Sequence, residues 1–226
     1  PNFNRLSREG ILFTNFYASG DRTDKGLVSI LSAFPAQTQR SIIKFPDKTQ
    51  KLPYLSRKLE GLGYQTSFVY GGDADFANYR SFLTYGGFRH ITSVDDFDSD
   101  YNTSKWGVHD QYLFEQAEKE LDTTSLNKPF FKAMLTLSSH EPFDVPLKQI
   151  PGEDDPSMFL NSCYYTDKCI GDFIAYCKKQ PWWNNTLIVI TADHGHRLPD
   201  KIDSRIREKF HTPMLWLGGA IKKDTL

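Results

Sequence analysis

Short apolar runs alternate along this chain with amphipathic stretches, and this alternation is the feature that most constrains the fold. Five runs have the length and composition of buried β-strands, at residues 11–19, 64–72, 129–139, 186–195 and 213–219. Stretches such as HDQYLFEQAEKEL and MFLNSCYYTDKCIGDFIAYCKKQ have the apolar spacing of helices. The pattern predicts an α/β fold in which a mostly parallel central sheet lies between helices.

A shorter helix is predicted for the stretch YLSRKLEGLG. Its leucines, Leu55, Leu59 and Leu62, are spaced to lie on one helix face, and Gly63 is a suitable terminating residue. We therefore expect an amphipathic helix over this stretch.

Composition limits the kinds of partner. A chain of 226 residues with 39% hydrophobic residues can bury one sizeable core, so we expect a single domain over residues 1–226. Lys and Arg number 27 against 28 Asp and Glu, which excludes a broad basic surface for nucleic acid. The apolar runs are too short to span a membrane, so any membrane attachment would come from segments that this chain does not contain.

Polar, chemically capable residues follow four of the predicted strands. In open α/β sheets, ligands bind beyond the carboxyl ends of the strands, because the connecting loops converge there. The polar segments are residues 19–23, 71–73, 138–141 and 193–196. We expect a functional site at this edge of the sheet.

Asp193 and His194 follow the apolar run LIVIT directly. A carboxylate oxygen beside an imidazole nitrogen is a common ligand pair for zinc or manganese. The alternative is that Asp193 caps the next turn and His194 is exposed.

Thr23 follows a glycine turn and stands where the next helix is predicted to begin. A hydroxyl at a helix N-terminus lies beside free backbone N–H groups, which suit a bound phosphate or sulfate. A threonine hydroxyl is a weak nucleophile until a metal or base activates it, and Arg22 or Lys25 could neutralise charge nearby. The alternative, that Thr23 is simply an N-cap, is compatible with catalysis.

These motifs occur together in a known order. The segments PNFNRLSREGILFTNFYASGDRTDKGLVSILSAFP, SFVYGGDADFANYRSFL, LTLSSHEPFDVP and LIVITADHGHRLP are similar to the lipoteichoic acid synthase branch of the alkaline phosphatase and sulfatase superfamily. The resemblance covers nearly the whole chain. It implies an alkaline phosphatase-like fold and a metal-dependent phosphoglycerol transferase or phosphodiesterase.

The resemblance also implies roles for individual residues. In that family a threonine attacks phosphatidylglycerol and carries the glycerol phosphate as a covalent intermediate, with one divalent ion bound to the threonine and to an Asp-His pair. Thr23 matches the nucleophile, Asp193 and His194 match the pair, and Arg80 and His140 match the substrate-binding residues. We expect Mn²⁺, with Mg²⁺ or Zn²⁺ as alternatives, and a phospholipid or glycan substrate.

Two departures leave the substrate open. Gly71 and Asn78 stand where lipoteichoic acid synthases have a histidine and a tryptophan. Segment GDRTDKG also lacks the Cys/Ser-X-Pro-X-Arg pattern that sulfatases convert to formylglycine, so that conversion is excluded for Thr23. Two other functions compete with this one. The chain could be a sulfatase-like hydrolase of another phosphoester or of a sulfate, or a domain without catalytic activity.

The resemblance places the first strand of the fold, with an acidic metal ligand, ahead of Pro1. We therefore expect an N-terminally truncated fragment of a longer, membrane-anchored protein, whose catalytic domain faces the periplasm or cell exterior. With at most three protein ligands, we expect weak metal occupancy and little activity. The native metal, the balance of transfer and hydrolysis, and the oligomeric state stay open.

Two further histidines are weaker candidates. His196 lies two residues beyond His194 and is expected either to contact substrate or a second ion, or to lie in an exposed loop. His211 precedes the strand PMLWLGG, at a position where superfamily members often place a histidine near the site.

Overall fold

A computed structural model describes residues 1–124 and 127–221. The helices are α1 Asn2–Leu6, α2 Thr23–Ser32, α3 Pro46–Thr49, α4 Leu55–Gly61, α5 Tyr79–Tyr85, α6 Asp110–Thr123 and α7 Asp155–Cys177. The strands are β1 Ile11–Phe13, β2 Gln65–Tyr70, β3 His90–Thr92, β4 Phe130–Leu135, β5 Ile188–Thr191 and β6 Met214–Leu217. Among the described residues, no helix is long and apolar enough to cross a membrane.

The first sheet is parallel and has the strand order β3-β2-β4. Its central strand β2 alternates between two apolar clusters, because successive side chains of a strand point to opposite faces. Phe68 and Tyr70 pack into a cluster with residues of α2 and α5, whereas Val69 packs with residues of α6 and α7. The expected α/β fold, with a parallel sheet between helices, is confirmed in this part of the molecule.

The second sheet is antiparallel and has the strand order β1-β6-β5. Its central strand β6 places Leu215 opposite Leu12 of β1 and Ile190 of β5. Leu215 and Leu217 join the same apolar cluster as Val69 and helix α7, so the two sheets share a core. The sequence pattern does not indicate this antiparallel pairing, because hydrophobic runs carry no information about strand direction.

Two local predictions differ from the structure. The strand predicted for residues 11–19 ends at Phe13, and beyond it only Tyr17 forms an isolated bridge, to His211. The amphipathic pattern of α4 does not correspond to a buried leucine face, because Leu55 and Leu62 are 49% and 67% exposed.

The reason lies in what α4 packs against. The helix instead buries Ser56, whose hydroxyl donates a hydrogen bond of 2.6 Å to the carbonyl of Gly86. Tyr54, just before the helix, packs against Phe82 of α5 with ring centroids 5.0 Å apart. A short surface helix is therefore oriented by two contacts with a distant segment, which outweigh its own leucine spacing.

Candidate active site

Helix α2 begins at Thr23, as the sequence predicts. Arg22 occupies the N-cap position with an extended backbone, and no side chain caps the helix. The half-buried Thr23 hydroxyl forms no hydrogen bond within the described part of the chain. Thr23 is therefore not an N-cap, and its hydroxyl is free beside the unpaired N–H groups of the first turn.

A close backbone contact brings α2 against the loop that follows β5. A Cβ atom at Gly26 would lie 2.2 Å from the carbonyl oxygen of Asp193, so only glycine fits there without displacement. Thr23 and Gly26 are three residues apart and lie on the same helix face. This contact brings the predicted nucleophile to the predicted metal ligands.

A second close backbone contact, at Gly195, fixes the loop that follows β5. A Cβ atom at Gly195 would lie 2.0 Å from the carbonyl oxygen of Lys209, in the 3₁₀ helix Arg207–Phe210. The side-chain ammonium of Lys209 in turn donates a hydrogen bond to the carbonyl of Gly195. The loop 193–195 is thus packed between α2 and the 3₁₀ helix.

Asp193 and His194 present one free ligand atom each. Asp193 Oδ1 accepts a 3.0 Å hydrogen bond from the backbone N–H of His194, and Asp193 Oδ2 is buried and accepts no hydrogen bond from a described residue. His194 Nδ1 lies 3.0 Å from the carbonyl oxygen of Gly195, which only accepts, so Nδ1 carries the proton and Nε2 keeps its lone pair. Asp193 Oδ2 and His194 Nε2 are 3.7 Å apart.

This geometry fits a divalent metal ion. Two ligand atoms bonded to one ion at about 2.0–2.2 Å, at angles near tetrahedral, are separated by about 3.3–3.6 Å, close to the 3.7 Å between these two atoms. A histidine that binds a metal usually donates its other N–H to a carbonyl or carboxylate, as His194 does to Gly195. Among the described residues Asp193 accepts a hydrogen bond only from its neighbour His194, whose side chain is 26% exposed, so the arrangement differs from a capped turn followed by an exposed histidine. No group of three His, Cys, Asp or Glu side chains is arranged for a metal in residues 1–124 and 127–221.

Two buried tyrosines border the Asp193 carboxylate. Burial raises the pKa of Tyr70 to about 12, and the charges of Asp73 and Asp193 add to the shift. Burial also raises the pKa of Tyr79, with further contributions from Tyr70, Asp24 and Asp193. The site therefore has neutral phenol groups and several carboxylates, which together favour a bound cation.

The two cations next to Thr23 differ in their partners. Lys25 forms an ion pair with Asp21, with the ammonium nitrogen 2.9 Å from Oδ1, and the hydrogen bond from Lys25 lowers the pKa of Asp21. Arg22 is exposed and forms no ion pair with a described residue. Of the two, Arg22 is the one whose charge remains free for an anion.

Arg80 lies in the first turn of α5 and is already partly engaged. Its Nε is 2.9 and 3.0 Å from the two carboxylate oxygens of Asp75, and its Nη2 donates to Ser93 Oγ at 3.1 Å. The side chain is 37% exposed. These contacts hold the guanidinium in place and leave other N–H groups of the fork for a ligand.

His140 lies in the loop after β4 and packs against an indole ring. Its ring centroid is 4.6 Å from that of Trp106, and its Nδ1 donates to the carbonyl of Glu141 at 3.0 Å, which leaves Nε2 free. The same carbonyl accepts a 2.6 Å hydrogen bond from the Trp106 indole. Phe76 contacts Trp106 edge-on, and it also contacts Tyr79, next to Arg80. Aromatic contacts therefore connect the segments that carry Arg80 and His140.

A fully buried aspartate fixes the backbone ahead of His140. Asp110 Oδ1 accepts hydrogen bonds from the N–H groups of Leu137 at 2.8 Å and Ser138 at 3.0 Å. Its Oδ2 accepts a 2.6 Å hydrogen bond from Thr166 of α7. Asp110 thereby joins α6, α7 and the end of β4.

His196 connects the loops after β4 and β5. Its ring stacks on Phe159 and meets Phe143 edge-on, with centroid distances of 4.8 and 5.6 Å. Its Nδ1 accepts from the N–H of Leu198 at 3.1 Å, and its Nε2 lies 3.6 Å from Glu141 Oε1. His196 is therefore a packed residue, 28% exposed, and not a side chain in an open loop.

The backbone of His211 lies near Gly195, and its side chain contacts the chain between β1 and α2. His211 is exposed, its Nε2 donates to the carbonyl of Thr14 at 2.8 Å, and its ring lies 5.2 Å from that of Tyr17. These contacts fix the chain that leads from β1 towards α2.

Four residues of this region were not predicted as site residues from the sequence: Gly26, Trp106, Asp110 and Lys209. Two signals for them exist in the sequence: Trp106 and Asp110 belong to the segment WGVHD, which opens a helix, and Lys209 stands just before a buried strand. Neither signal reveals which distant residues they contact.

The fold and this site define a class of proteins. A protein of the alkaline phosphatase superfamily from Vibrio parahaemolyticus matches this structure with a TM-score of 0.86 and 30% identity, over 99% of this chain and 55% of that one. The lipoteichoic acid synthase LtaP from Listeria monocytogenes matches with a TM-score of 0.85 and 19% identity, over 99% of this chain and 60% of that one. The chain therefore has the fold of the alkaline phosphatase superfamily.

Sequence comparison gives the family. The sulfatase family model matches residues 1–225, and the chain belongs to the sulfatase family. Phosphoglycerol transferase I from Xanthomonas euvesicatoria pv. vesicatoria is 27% identical over 237 residues, which cover 98% of this chain and 34% of that protein. The chain thus spans about a third of the length of this relative. The resemblance predicted from the motifs is confirmed.

Proposed function

We propose that residues 1–226 form a catalytic domain that transfers or hydrolyses a phosphodiester of the phosphoglycerol type through Thr23. One observation carries this proposal: the Thr23 hydroxyl is free at a helix N-terminus that packs, through Gly26, on the Asp193–His194 pair. The free Asp193 Oδ2 and His194 Nε2, 3.7 Å apart, support metal dependence.

The reaction is a double displacement. Thr23 Oγ loses its proton as it forms a bond to phosphorus, the bond from phosphorus to the leaving alkoxide breaks, and the alkoxide takes up a proton. An acceptor hydroxyl or water then forms a new bond to phosphorus, and the threonine oxygen leaves and regains a proton. A divalent ion held by Asp193 and His194 would supply Lewis acidity beside the Thr23 hydroxyl.

Side chains and backbone groups of this chain bind the phosphate and transfer protons. The N–H groups of the first turn of α2 and the Arg22 guanidinium stabilise the charge on the phosphoryl oxygens. The remaining N–H groups of Arg80 bind the donor phosphate. His140 Nε2 accepts a hydrogen bond from the substrate hydroxyl or, when protonated, gives a proton to the leaving alkoxide.

The substrate, metal and location form part of the proposal. The Xanthomonas relative is named for phosphoglycerol transfer, and LtaP for lipoteichoic acid synthesis, which favours an envelope lipid or glycan as substrate. We expect Mn²⁺ as the metal, with Mg²⁺ or Zn²⁺ as alternatives, because one oxygen and one nitrogen ligand suit all three. We place the domain outside the cytoplasm, as part of a membrane-anchored protein.

The test uses Thr23→Ala with Thr38→Ala as a matched control, since Thr38 is an exposed threonine outside the site. Both variants and the wild type are assayed for release of the alcohol from a glycerophosphodiester with saturating Mn²⁺. We expect Thr23→Ala to lose all turnover and Thr38→Ala to keep it. A glycerophosphoryl adduct on the peptide that contains Thr23, found by mass spectrometry after quenching, would support the covalent step. Full activity of Thr23→Ala would refute the mechanism.

The choice of substrate distinguishes the proposed phosphodiester chemistry from the alternative of a sulfatase-like hydrolase. The same preparation is assayed with an aryl sulfate and an aryl phosphodiester, each with Mn²⁺, Mg²⁺ and Zn²⁺. We expect cleavage of the phosphodiester alone, because Thr23 lies outside any formylglycine pattern. Faster cleavage of the sulfate would favour a sulfatase.

A further inference from the structure

Lys209 is a buried cation without an anionic partner. The residue is 7% exposed, and its ammonium group donates to the carbonyl of Gly195. No described carboxylate lies within ion-pair distance of it, whereas the other deeply buried lysine, Lys132, forms an ion pair with Glu120. A buried charge is costly unless an opposite charge or a ligand compensates for it.

Two carboxylates of the candidate site, Asp21 and Asp193, act on the Lys209 ammonium group. Burial lowers the pKa of Lys209, while Asp21 and Asp193 are near enough to raise it in part. The backbone of Lys209 touches Gly195, in the loop that presents Asp193 and His194. The backbone and the ammonium group of Lys209 therefore both lie against the loop that presents Asp193 and His194.

The geometry points to Lys209 as an anion-binding residue of this site, where its ammonium group compensates the charge of a bound phosphate or phosphodiester. This inference rests on the proposed function, because it assumes that a phosphorus oxyanion binds beside Asp193 and His194. It adds a residue that the sequence motifs do not assign. It also explains why a buried ammonium tolerates the absence of a carboxylate: the compensating charge belongs to the ligand.

Lys209 could act through its charge or only by holding Gly195 in place. These two roles predict different effects of its removal on the binding of anions and cations. If the ammonium acts by its charge, its removal weakens binding of an anion and strengthens binding of a cation at Asp193, because like charges repel. If Lys209 only ties Gly195 in place, its removal disorders the loop and weakens both. Lys209→Gln separates the two, because the amide can still donate to the Gly195 carbonyl but has no charge.

The experiment is calorimetric titration of the chain with Mn²⁺ alone and then with inorganic phosphate at saturating Mn²⁺. Lys209→Gln is compared with wild type and with Lys58→Gln, an exposed lysine on α4. For Lys209→Gln we expect the phosphate Kd to rise about tenfold and the Mn²⁺ Kd to fall, whereas Lys58→Gln leaves both unchanged. Lys209→Met, which also loses the hydrogen bond, should show the same rise for phosphate.

Thr23→Ala separates this inference from the proposed function, since it removes the nucleophile but keeps Lys209. Phosphate binding that survives Thr23→Ala and is weakened by Lys209→Gln supports an anion site whatever the turnover. Unchanged phosphate binding in Lys209→Gln, or a wild type that binds no phosphate, would overturn the inference even if Thr23 proves to be the nucleophile. Weakened binding of both ions in Lys209→Gln would assign a tether role instead and overturn it too. Near-UV circular dichroism of each variant checks that it is folded.

Discussion

Two aspartates, Asp110 and Asp193, differ in whether the protein satisfies the hydrogen bonds of their carboxylate oxygens. Asp110, the first residue of α6, is completely buried and accepts hydrogen bonds from two backbone N–H groups after β4 and from a threonine hydroxyl. Asp193, after β5, keeps one buried carboxylate oxygen without any partner. The protein satisfies the hydrogen bonds of the first carboxylate and leaves one oxygen of the second without a hydrogen-bond donor.

This difference separates stabilising residues from binding residues. A carboxylate that accepts several protein hydrogen bonds lowers the free energy of the folded chain, and its loss leaves N–H groups unsatisfied. A buried carboxylate oxygen without a partner raises that free energy, and the fold tolerates it where a ligand binds. Asp110 should therefore affect stability, and Asp193 should affect binding.

The largest expected effect is on metal binding at Asp193. Loss of residues that merely orient metal ligands costs 10–100-fold in affinity, so Asp193→Ala should raise the Mn²⁺ Kd by at least about 100-fold. The free energy of unfolding without metal should not fall, because the deleted oxygen has no protein partner. Calorimetric titration and urea unfolding measure the two quantities. A large loss of stability with unchanged Mn²⁺ affinity would reverse the comparison.

Asp110→Ala should give the opposite result. It leaves the buried N–H groups of Leu137 and Ser138 without an acceptor, and we expect a loss of about 3 kcal/mol in the free energy of unfolding. The Mn²⁺ affinity of the folded variant should change by less than about threefold. Asp110→Asn is the control, because its oxygen can still accept both N–H groups, and it should lose much less stability. Equal losses for the two variants would contradict this account.

Gly26→Ala should have an intermediate effect, on the position of the Asp193 loop. The added methyl group would overlap the Asp193 carbonyl, so loop and helix must separate, and we expect the Mn²⁺ Kd to rise about tenfold. Gly61→Ala is the matched control, since a Cβ atom there has nothing within 4 Å. Unchanged affinity in Gly26→Ala would show that the contact is not needed for the ligand geometry.

The smallest expected effect concerns His196 and pH. Burial lowers the pKa of His196 below its usual 6.5, so the folded chain favours the neutral ring. This contribution to stability is complete above pH 6.5 and is lost as the pH falls through the lowered pKa of the folded state. Between pH 7.5 and pH 5, the Tm of wild type should therefore fall slightly more than that of His196→Gln. A steeper fall of Tm in His196→Gln than in wild type would contradict this prediction.

Residues whose role depends on local sequence could be predicted. The helix start at Thr23 follows from the glycine turn ahead of it, and the position of Asp193 and His194 follows from the end of an apolar run. Their chemical roles were inferred from a family resemblance, and those roles remain proposals. Local periodicity was sufficient for the order of strands and helices and for the parallel sheet.

Residues whose role depends on distant contacts could not be predicted. Asp110 is bonded to Thr166, 56 positions away, and Lys209 reaches back to Gly195. No periodic pattern connects such pairs. The exposed Leu55 and Leu62 of α4 show the same limit, since the contacts of Ser56 and Tyr54 with α5 and its C-terminal turn orient that helix.

The contact between Gly26 and the Asp193 carbonyl also has a use in classification. Because any larger residue at this point separates the helix that carries Thr23 from the ligand pair, the residue three positions after the threonine indicates whether a related chain can assemble the same geometry. A homologue with Thr, Asp and His in place but a bulky residue at that position would be expected to hold its nucleophile farther from the metal. Position 26 thus offers a criterion for separating active from degenerate members before any assay is made.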